Sequence, residues 1–152
     1  MPIRKKGQGM IEVAVVFLML LPLLVGVYLI FMLCYDYITL ASLARESARA
    51  LAVQTEANMT TERNAIITRK TGSSQNALLG SLYIWSPSSS SDAAFTVELV
   101  SSETDPHVTV TLTAARASDG LASYLNILPP TITAQSTMYW EGYSANDDTG
   151  NT

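Results

Sequence analysis

The stretch VAVVFLMLLPLLVGVYLIFMLC, residues 13–34, holds 22 consecutive residues without a charged side chain and decides the organisation of the chain. As an α-helix it would be about 33 Å long, at about 1.5 Å per residue, and the hydrocarbon core of a bilayer is about 30 Å thick. Glu12 and Asp36 bracket the run, and Pro22 and Gly26 inside it are residues that membrane helices tolerate. The stretch therefore predicts a single membrane-spanning helix.

The charges on the two sides of this run predict its orientation. Arg4, Lys5 and Lys6 precede it, whereas the first cationic residue after it is Arg45. Because short cytoplasmic segments carry an excess of Lys and Arg, the N-terminus is expected in the cytoplasm. Everything after about Asp36 is then expected on the far side of the membrane.

Two other interpretations of the run remain open. A secretory signal peptide has an apolar region of about 7–15 residues followed by a small-residue cleavage site. The run is longer than that, but TLA at 39–41 and SLA at 42–44 weakly resemble such cleavage sites, so secretion stays an alternative. A plain single-pass anchor is the other alternative.

The composition of the 152 residues excludes several classes of protein. Apolar residues make up 48% and charged residues 14%, against about 25% charged residues in a typical globular domain. From Tyr37 onward the chain has six Lys or Arg and eleven Asp or Glu, a net charge of −5, so a nucleic-acid partner is not expected. Cys34 is the only cysteine, which excludes an intrachain disulfide. A freely soluble enzyme is not expected either, because the apolar run would be exposed to water.

Residue types that carry catalysis or bind metals are sparse. His107 is the single histidine and has no second histidine or cysteine partner, so neither a metal site nor an activated nucleophile is indicated. The sequence has no glycine-rich phosphate-binding loop. The aromatic residues Tyr83, Trp85, Tyr139 and Trp140 are interpreted as core or sheet-face residues, with a sugar-binding platform as the alternative. We predict no enzymatic activity, catalytic residue, metal, cofactor or small-molecule substrate.

A carboxylate stands at the boundary of the apolar run. Glu12 lies five residues after Gly7, which follows the basic residues in RKKGQGMIEV, residues 4–13. An ionisable group at the centre of a membrane helix costs about 2.5–3.5 kcal/mol, and less at the interface, so its presence there is a functional hypothesis. A plain anchor has no use for Glu12, which makes it the first candidate functional residue.

This order of a basic leader, a glycine, four residues, a glutamate and a long apolar helix resembles the class III signal of type IV prepilins. The resemblance implies that a membrane-embedded prepilin peptidase cuts after Gly7, so that Gln8 becomes the first residue and Glu12 the fifth. It also implies that the carboxylate of Glu12 neutralises the new α-amino group of Gln8 on a neighbouring subunit. A cut after Gly9 is an alternative that would leave Glu12 third.

The rest of the chain narrows the resemblance to one family. GQGMIE at 7–12 and the apolar run are followed by LASLARESARALA at 40–52 and by strand-like segments between 108 and 138. This order resembles the TadE-like proteins of the tight-adherence pilus system, which are minor pilins or pseudopilins. Val13 follows Glu12 where the major fibre subunit has an aromatic residue, which indicates a minor role.

The resemblance implies a minor pilin-like structural component of a type IV-like pilus, cut after Gly7 and assembled through its N-terminal helix. Its partners would be other pilin subunits, pilus assembly proteins and the prepilin peptidase. Its location would be the bacterial inner membrane, with the extracellular pilus as a further location. The alternative is a single-pass envelope protein that is never processed and serves the pilus assembly or secretion machinery as a scaffold or binding module.

The residues after the apolar run predict a small α+β domain. Helix-favouring residues continue without Gly or Pro to about Thr55, and a second helix is expected over 62–71. Alternating apolar and polar residues predict the strands, and short helical turns are expected over 74–79 and near 121–125. The expected strands cover 82–85, 95–100, 108–113 and 132–140. The fold class is α+β and pilin-like: a long membrane-spanning N-terminal helix continues as a spine on which a small antiparallel β-sheet packs.

These expectations divide the chain into four segments. They are a prepilin-type leader over 1–7, a transmembrane and extended amphipathic helix over 8–57, an extracytoplasmic α+β domain over 58–141 and a flexible tail over 142–152. Within the long helix, alanines recur at every third or fourth position, namely Ala41, Ala44, Ala48 and Ala52. Such a stripe either allows close approach of another helix or forms a narrow core face.

Overall fold

A computed structural model describes the backbone of most of the chain. The described residues are 4–71, 82–87, 93–102, 104–118, 120, 122 and 128–143, with side chains from residue 9 onward. The chain divides into two compact units, residues 1–34 and residues 35–152. Each unit is described by itself below.

The first unit consists of the N-terminal part of helix α1, which covers Arg4–Ala52 and includes Pro22. The large apolar side chains described between Met10 and Phe31 are mostly exposed, with Leu18 77% exposed and Phe31 76% exposed. Among the described residues, α1 is the one helix long and apolar enough to cross a membrane. This helix is therefore compatible with a single-pass membrane anchor, as the apolar run predicts.

The second unit begins with the remaining part of α1, where one face of the helix becomes buried. The buried positions recur every three or four residues, as expected for a helix packed on one side. They are Asp36, Leu40, Leu43, Ala44, Ser47, Ala48, Leu51 and Ala52. On the other side, Arg45 and Arg49 are exposed. The alanine stripe was predicted either to pack against another helix or to form a narrow core face. Ala44, Ala48 and Ala52 are buried in the second unit, so they form a core face.

A tight turn joins α1 to a second helix, α2, which covers Glu56–Thr71. The N–H of Gln54 donates to Leu51 O at 3.0 Å, and the N–H of Asn58 donates to Thr55 O at 2.9 Å. Helix α2 begins at Glu56 rather than at residue 62, where the sequence predicted it. An acidic residue in the first turn and Arg69 and Lys70 in the last both suit the helix dipole, so the earlier start has a physical reason.

Four antiparallel strands form a single sheet around a central strand. The strands are β1 at Tyr83–Ile84, β2 at Phe95–Val100, β3 at His107–Arg116 and β4 at Thr131–Tyr139. Strand β3 pairs with β4 over nearly its whole length, with β2 from His107 to Leu112, and with β1 at Ala115 and Arg116. The predicted α+β fold with a small antiparallel sheet is confirmed, and β2 has the predicted bounds.

The two faces of the sheet differ in composition. Strand alternation places Phe95, Val110, Leu112, Ala134 and their neighbours on one face, and these side chains are buried. Tyr83, Trp85 and Trp140 are also buried, as expected for core aromatics, whereas Tyr139 is exposed. The opposite face is rich in threonine: it carries Thr96, Thr109, Thr111, Thr113, Thr131, Thr133 and Thr137. We call these the inner and the outer face of the sheet.

Several expectations concern residues outside the described ranges. They are the turn over 74–79, most of the helical turn near 121–125, and positions 144–152 of the predicted tail. The first two residues of the predicted flexible tail, Gly142 and Tyr143, are described, and they pack against the rest of the second unit. The N–H of Gly142 donates to Ala52 O at 3.1 Å, and the rings of Tyr143 and Trp140 are 5.5 Å apart.

Candidate assembly site

The residues of the predicted cleavage motif all lie on helix α1. The helix begins at Arg4, so the basic residues Lys5 and Lys6 and the peptide bond between Gly7 and Gln8 are in helical backbone. The sequence places the start of the helix at Gln8 instead. Residues 4–7 and the apolar run are therefore parts of one continuous helix.

Glu12 lies one helical turn after Gln8 on the same helix, because residues four apart share a face. Its side chain is exposed, and it makes no ion pair with any side chain that the structure describes. A cut after Gly7 would put the new α-amino group one helical turn from Glu12 of the same chain. Glu12 is an exposed carboxylate at the edge of an apolar helix surface.

Gly9, the alternative cleavage residue, has no conformational role in this helix. A Cβ atom added at Gly9 would meet nothing within 4 Å, and the same is true of Gly26. An alanine is therefore accommodated at either position without any rearrangement. This makes Gly9 a clean control for experiments on the cleavage motif.

At the other end of the apolar run, Asp36 is fully buried in the second unit. Its side chain is 0% exposed and belongs to the buried face of α1. Burial is the main cause that raises the pKa of the nearby Tyr83 phenol; the charge of Arg116 opposes the increase and that of Asp36 adds to it. The hydroxyl of Tyr83 donates to Pro129 O at 2.8 Å, and Nη1 of Arg116 donates to Leu128 O at 3.2 Å.

Asp36, Tyr83 and Arg116 thus form a polar cluster on the inner face of the sheet. It joins α1 to strands β1 and β3 and to the segment that leads into β4. This cluster is not predicted from the sequence, in which Asp36 reads only as the polar end of the apolar run. The signal that could have found it is the spacing of Asp36 from Leu40 and Leu43, which places all three on one helix face.

Charged side chains attach α2 to its neighbours. The ammonium of Lys70 lies 2.7 Å from Glu46 Oε2 on α1, and both groups are partly exposed. The guanidinium of Arg63 donates through Nε and Nη2 to Phe95 O at 3.2 and 3.0 Å, and its Cζ lies 5.2 Å from the Phe95 ring centroid. Partly exposed ion pairs contribute about 0–1 kcal/mol, so the Arg63 contact, which also stacks on a ring, is the stronger of the two attachments.

The C-terminal end of α1 is closed by the chain that follows β4. Nε1 of Trp140 donates to Gln54 O at 2.7 Å, and Gly142 packs so closely that a Cβ atom there would collide with the same carbonyl oxygen. A half-open cavity of about 400 Å³ adjoins this contact. It is lined by Thr55, Glu56, Ala57, Ser101, Trp140, Gly142 and Tyr143.

Metal-binding and catalytic groups do not converge in the parts of the chain described by the structure. His107 lies at the start of β3, with Nδ1 3.0 Å from Asp105 O and 3.8 Å from Asp105 Oδ2. No group of three or more His, Cys, Asp or Glu side chains within the described ranges could hold a metal ion. Cys34 is exposed and unpaired with any described cysteine. The candidate site is therefore the N-terminal helix, with Glu12 as its one described charged side chain before Asp36.

Comparison with known proteins identifies the same part of the chain. A family model described as TadE-like protein matches residues 7–49. No curated protein and no solved structure matches the chain. The matched segment begins at Gly7 of the predicted motif and extends through the apolar run into the buried face of α1, and it associates the chain with the tight-adherence pilus. Residues 7–49 are a TadE-like segment, which confirms the family predicted from the sequence.

Proposed function

We propose that this protein is a minor pilin-like structural component of a tight-adherence pilus, cut by a prepilin peptidase after Gly7 and assembled through its N-terminal helix. The observation that carries the proposal is the TadE-like match, which starts at Gly7 itself and covers the membrane-length helix. Its partners are other pilin subunits, pilus assembly proteins and the peptidase. Its role is structural and not enzymatic.

The exposed surface of the first unit supports assembly through this helix. Apolar side chains cover all sides of α1 before Asp36, so this part of the chain needs lipid or other apolar helices around it. Among the side chains described before Asp36, Glu12 is the one that carries a charge. A charge among apolar helices is stabilised when a group of opposite charge pairs with it. An amine freed by cleavage at Gln8 is a partner of the right sign.

The proposed location is the bacterial inner membrane before assembly and the pilus after it. Arg4, Lys5 and Lys6 favour a cytoplasmic N-terminus, which puts the second unit outside the cytoplasm. A reporter fused after Thr152 is expected to be active only outside the cytoplasm.

A second candidate function is an uncut single-pass scaffold of the same machinery. The specific observation in its favour is the helical backbone that runs from Arg4 through Gly7 without a break, so the leader and the span form a complete anchor. In this candidate, Glu12 is an interfacial residue and the second unit acts as a binding module.

The mass of the protein isolated from its native membrane separates the two candidates. In cells with an active prepilin peptidase, the pilin proposal expects a chain that begins at Gln8, and cells without the peptidase should retain residues 1–7. Gly7→Val should block the cut, whereas Gly9→Ala should leave it unchanged because Gly9 has open space around it. A wild-type chain that keeps residues 1–7 beside an active peptidase would overturn the pilin proposal and favour the scaffold.

A further inference from the structure

The exposed side of α1 in the second unit carries two arginines that the unit itself does not use. Ile38, Ser42, Arg45 and Arg49 recur at every third or fourth position and are all exposed, so they form one stripe on the helix. Arg45 and Arg49 make no hydrogen bond and no ion pair with the residues that the structure describes. We call these four residues the arginine stripe.

The other Lys and Arg side chains that the structure describes in this unit have partners. Lys70 and Arg69 form ion pairs with glutamates, at 2.7 and 3.1 Å. Arg63 and Arg116 donate hydrogen bonds to backbone carbonyl oxygens. The arginine stripe is therefore the place where the described part of this unit has cationic charge to offer to a partner.

The half-open cavity of about 400 Å³ beside the start of α2 has the opposite character. Glu56 lines the cavity, and Glu141 stands at its rim, directly before the lining residue Gly142. Both carboxylates are exposed, and neither makes an ion pair with a described side chain. The rings of Trp140 and Tyr143, 5.5 Å apart, form part of the wall. The positive end of the α2 dipole also lies here, and Glu56 in the first turn offsets it.

Carboxylates beside aromatic rings are surroundings in which proteins bind guanidinium groups. A guanidinium stacks on the face of an aromatic ring and donates two parallel hydrogen bonds to a carboxylate. This chain already contains such stacking, since Cζ of Arg63 lies 5.2 Å from the ring centroid of Phe95. Ligand cavities in proteins measure about 300–1,000 Å³, so this one has room for a long side chain. The cavity therefore suits an arginine from another chain.

A second copy of this chain carries the complement of each feature. From Tyr37 onward the net charge is −5, so two copies repel each other wherever acidic surfaces meet. Attraction needs a cationic surface on one copy and carboxylates on the other, and the arginine stripe and the cavity supply them. Complementary charge of this kind determines which surfaces meet and suppresses other arrangements. Charge complementarity therefore selects a second copy as the occupant.

We propose that the cavity beside the start of α2 binds the arginine stripe of a second copy of this chain. One of Arg45 and Arg49 enters the cavity and pairs with Glu56, and the other pairs with Glu141 at the rim. Every copy carries both surfaces, so the same contact can repeat from one copy to the next. That the copies meet in a pilus rests on the proposed function, whereas the contact itself does not.

Sedimentation equilibrium of the full-length chain in density-matched detergent micelles tests this proposal. The wild-type chain should self-associate at low salt. Its dissociation constant should rise by about tenfold or more between about 0.05 and about 0.5 M NaCl, because salt screens exposed charges. Association through the apolar run does not weaken with salt in this way.

Two charge-reversed variants separate this contact from any other. The first carries Arg45→Glu and Arg49→Glu, and the second carries Glu56→Arg and Glu141→Arg. Each variant alone should associate about tenfold or more weakly than wild type, because like charges then meet. An equal mixture of the two should regain the affinity of wild type, since the acidic stripe of the first fits the basic cavity of the second. Recovery in the mixture also shows that both variants are folded.

Control variants locate the effect. Arg69→Glu and Glu98→Arg reverse exposed charges elsewhere in the second unit and should leave the dissociation constant within about twofold of wild type. A mixture of the single variants Arg49→Glu and Glu141→Arg repeats the complementation test in case a double variant fails to fold.

Three results would overturn the proposal. The first is a wild-type chain that stays monomeric at low salt, which would leave a different chain as the partner of both surfaces. The second is self-association that both charge-reversed variants retain, and the third is a mixture of folded variants that associates as weakly as its components. None of these results bears on cleavage at Gly7, so failure of this contact can be told apart from failure of the pilin proposal.

Discussion

The two parts of helix α1 differ in what stabilises them. Before Asp36 the apolar side chains face outward on all sides, as in Leu18 at 77% exposure. After Asp36 the same helix has a buried face, on which Leu40 and Leu51 are 0% exposed, and an exposed face with Arg45 and Arg49. The second part is therefore stabilised by contacts within the chain. The first part has mostly exposed apolar side chains, which are stable in an apolar environment and not in water.

Asp36 lies where the change between the two parts occurs, and its replacement should have the largest effect. Asp36→Ala should lower the free energy of unfolding of the second unit by about 3–5 kcal/mol, because it removes one member of a buried polar cluster that includes Arg116. Chemical denaturation followed by tryptophan fluorescence measures this, since Trp85 and Trp140 both lie in the second unit. Glu12→Ala is the matched control and should leave the transition unchanged. Equal unfolding transitions for Asp36→Ala and wild type would show that Asp36 does not stabilise the second unit.

Two leucine substitutions on the same helix test whether its two parts differ in their contribution to stability. Leu40→Ala should cost about 2–5 kcal/mol of stability of the second unit, because it leaves a cavity at a fully buried position. Leu18→Ala makes the same chemical change at an exposed position in the first unit and should have no measurable effect on the same transition. Similar losses for both variants would contradict the division of α1 at Asp36.

A smaller effect is expected from Tyr83 at alkaline pH. Burial raises the pKa of this phenol above its ordinary value of 10.0. The folded state therefore keeps a proton that the unfolded state loses above about pH 10, so stability should fall as the pH rises through this range. Tyr83→Phe should weaken this alkaline loss and should cost about 0.5–1.5 kcal/mol at neutral pH through the lost hydrogen bond to Pro129. Denaturation curves at pH 7 and at pH 10–11 measure both effects, and an unchanged alkaline loss in Tyr83→Phe would show that another group causes it.

The features that could be predicted from the sequence are those set by local pattern. The apolar run, the α+β fold class and the strand over residues 95–100 follow from composition and alternation of neighbouring residues. The family matched over residues 7–49 was predicted from the resemblance of the N-terminal motif. The start of α2 at Glu56 was missed because Thr60 and Thr61 resemble helix caps, whereas the helix is started by the turn that follows α1.

The features that could not be predicted depend on residues far apart in the sequence. Asp36 reads as a polar end of the apolar run, and its spacing from Leu40 and Leu43 indicates only that it shares their helix face. Its proximity to Tyr83 and Arg116 depends on the packing of β1 and β3. In the same way, the contact of Trp140 with Gln54 closes the end of α1 from a position near the C-terminus. No local pattern identifies these partners, since the residues of each pair lie far apart in the sequence.

The central claim is that Glu12 of the first unit acts only in the assembly, while the second unit folds by its own contacts. The direct measurement is the amount of this protein in sheared pili relative to membranes, for wild type and Glu12→Gln. We expect unchanged abundance, unchanged cutting after Gly7 and a ratio lowered by about 100-fold or more, since loss of one partner of a buried ion pair costs about 3–5 kcal/mol. Glu46→Gln, which changes an exposed carboxylate of the second unit, should leave the ratio near that of wild type. Equal ratios for Glu12→Gln and wild type would contradict the claim and favour an uncut scaffold.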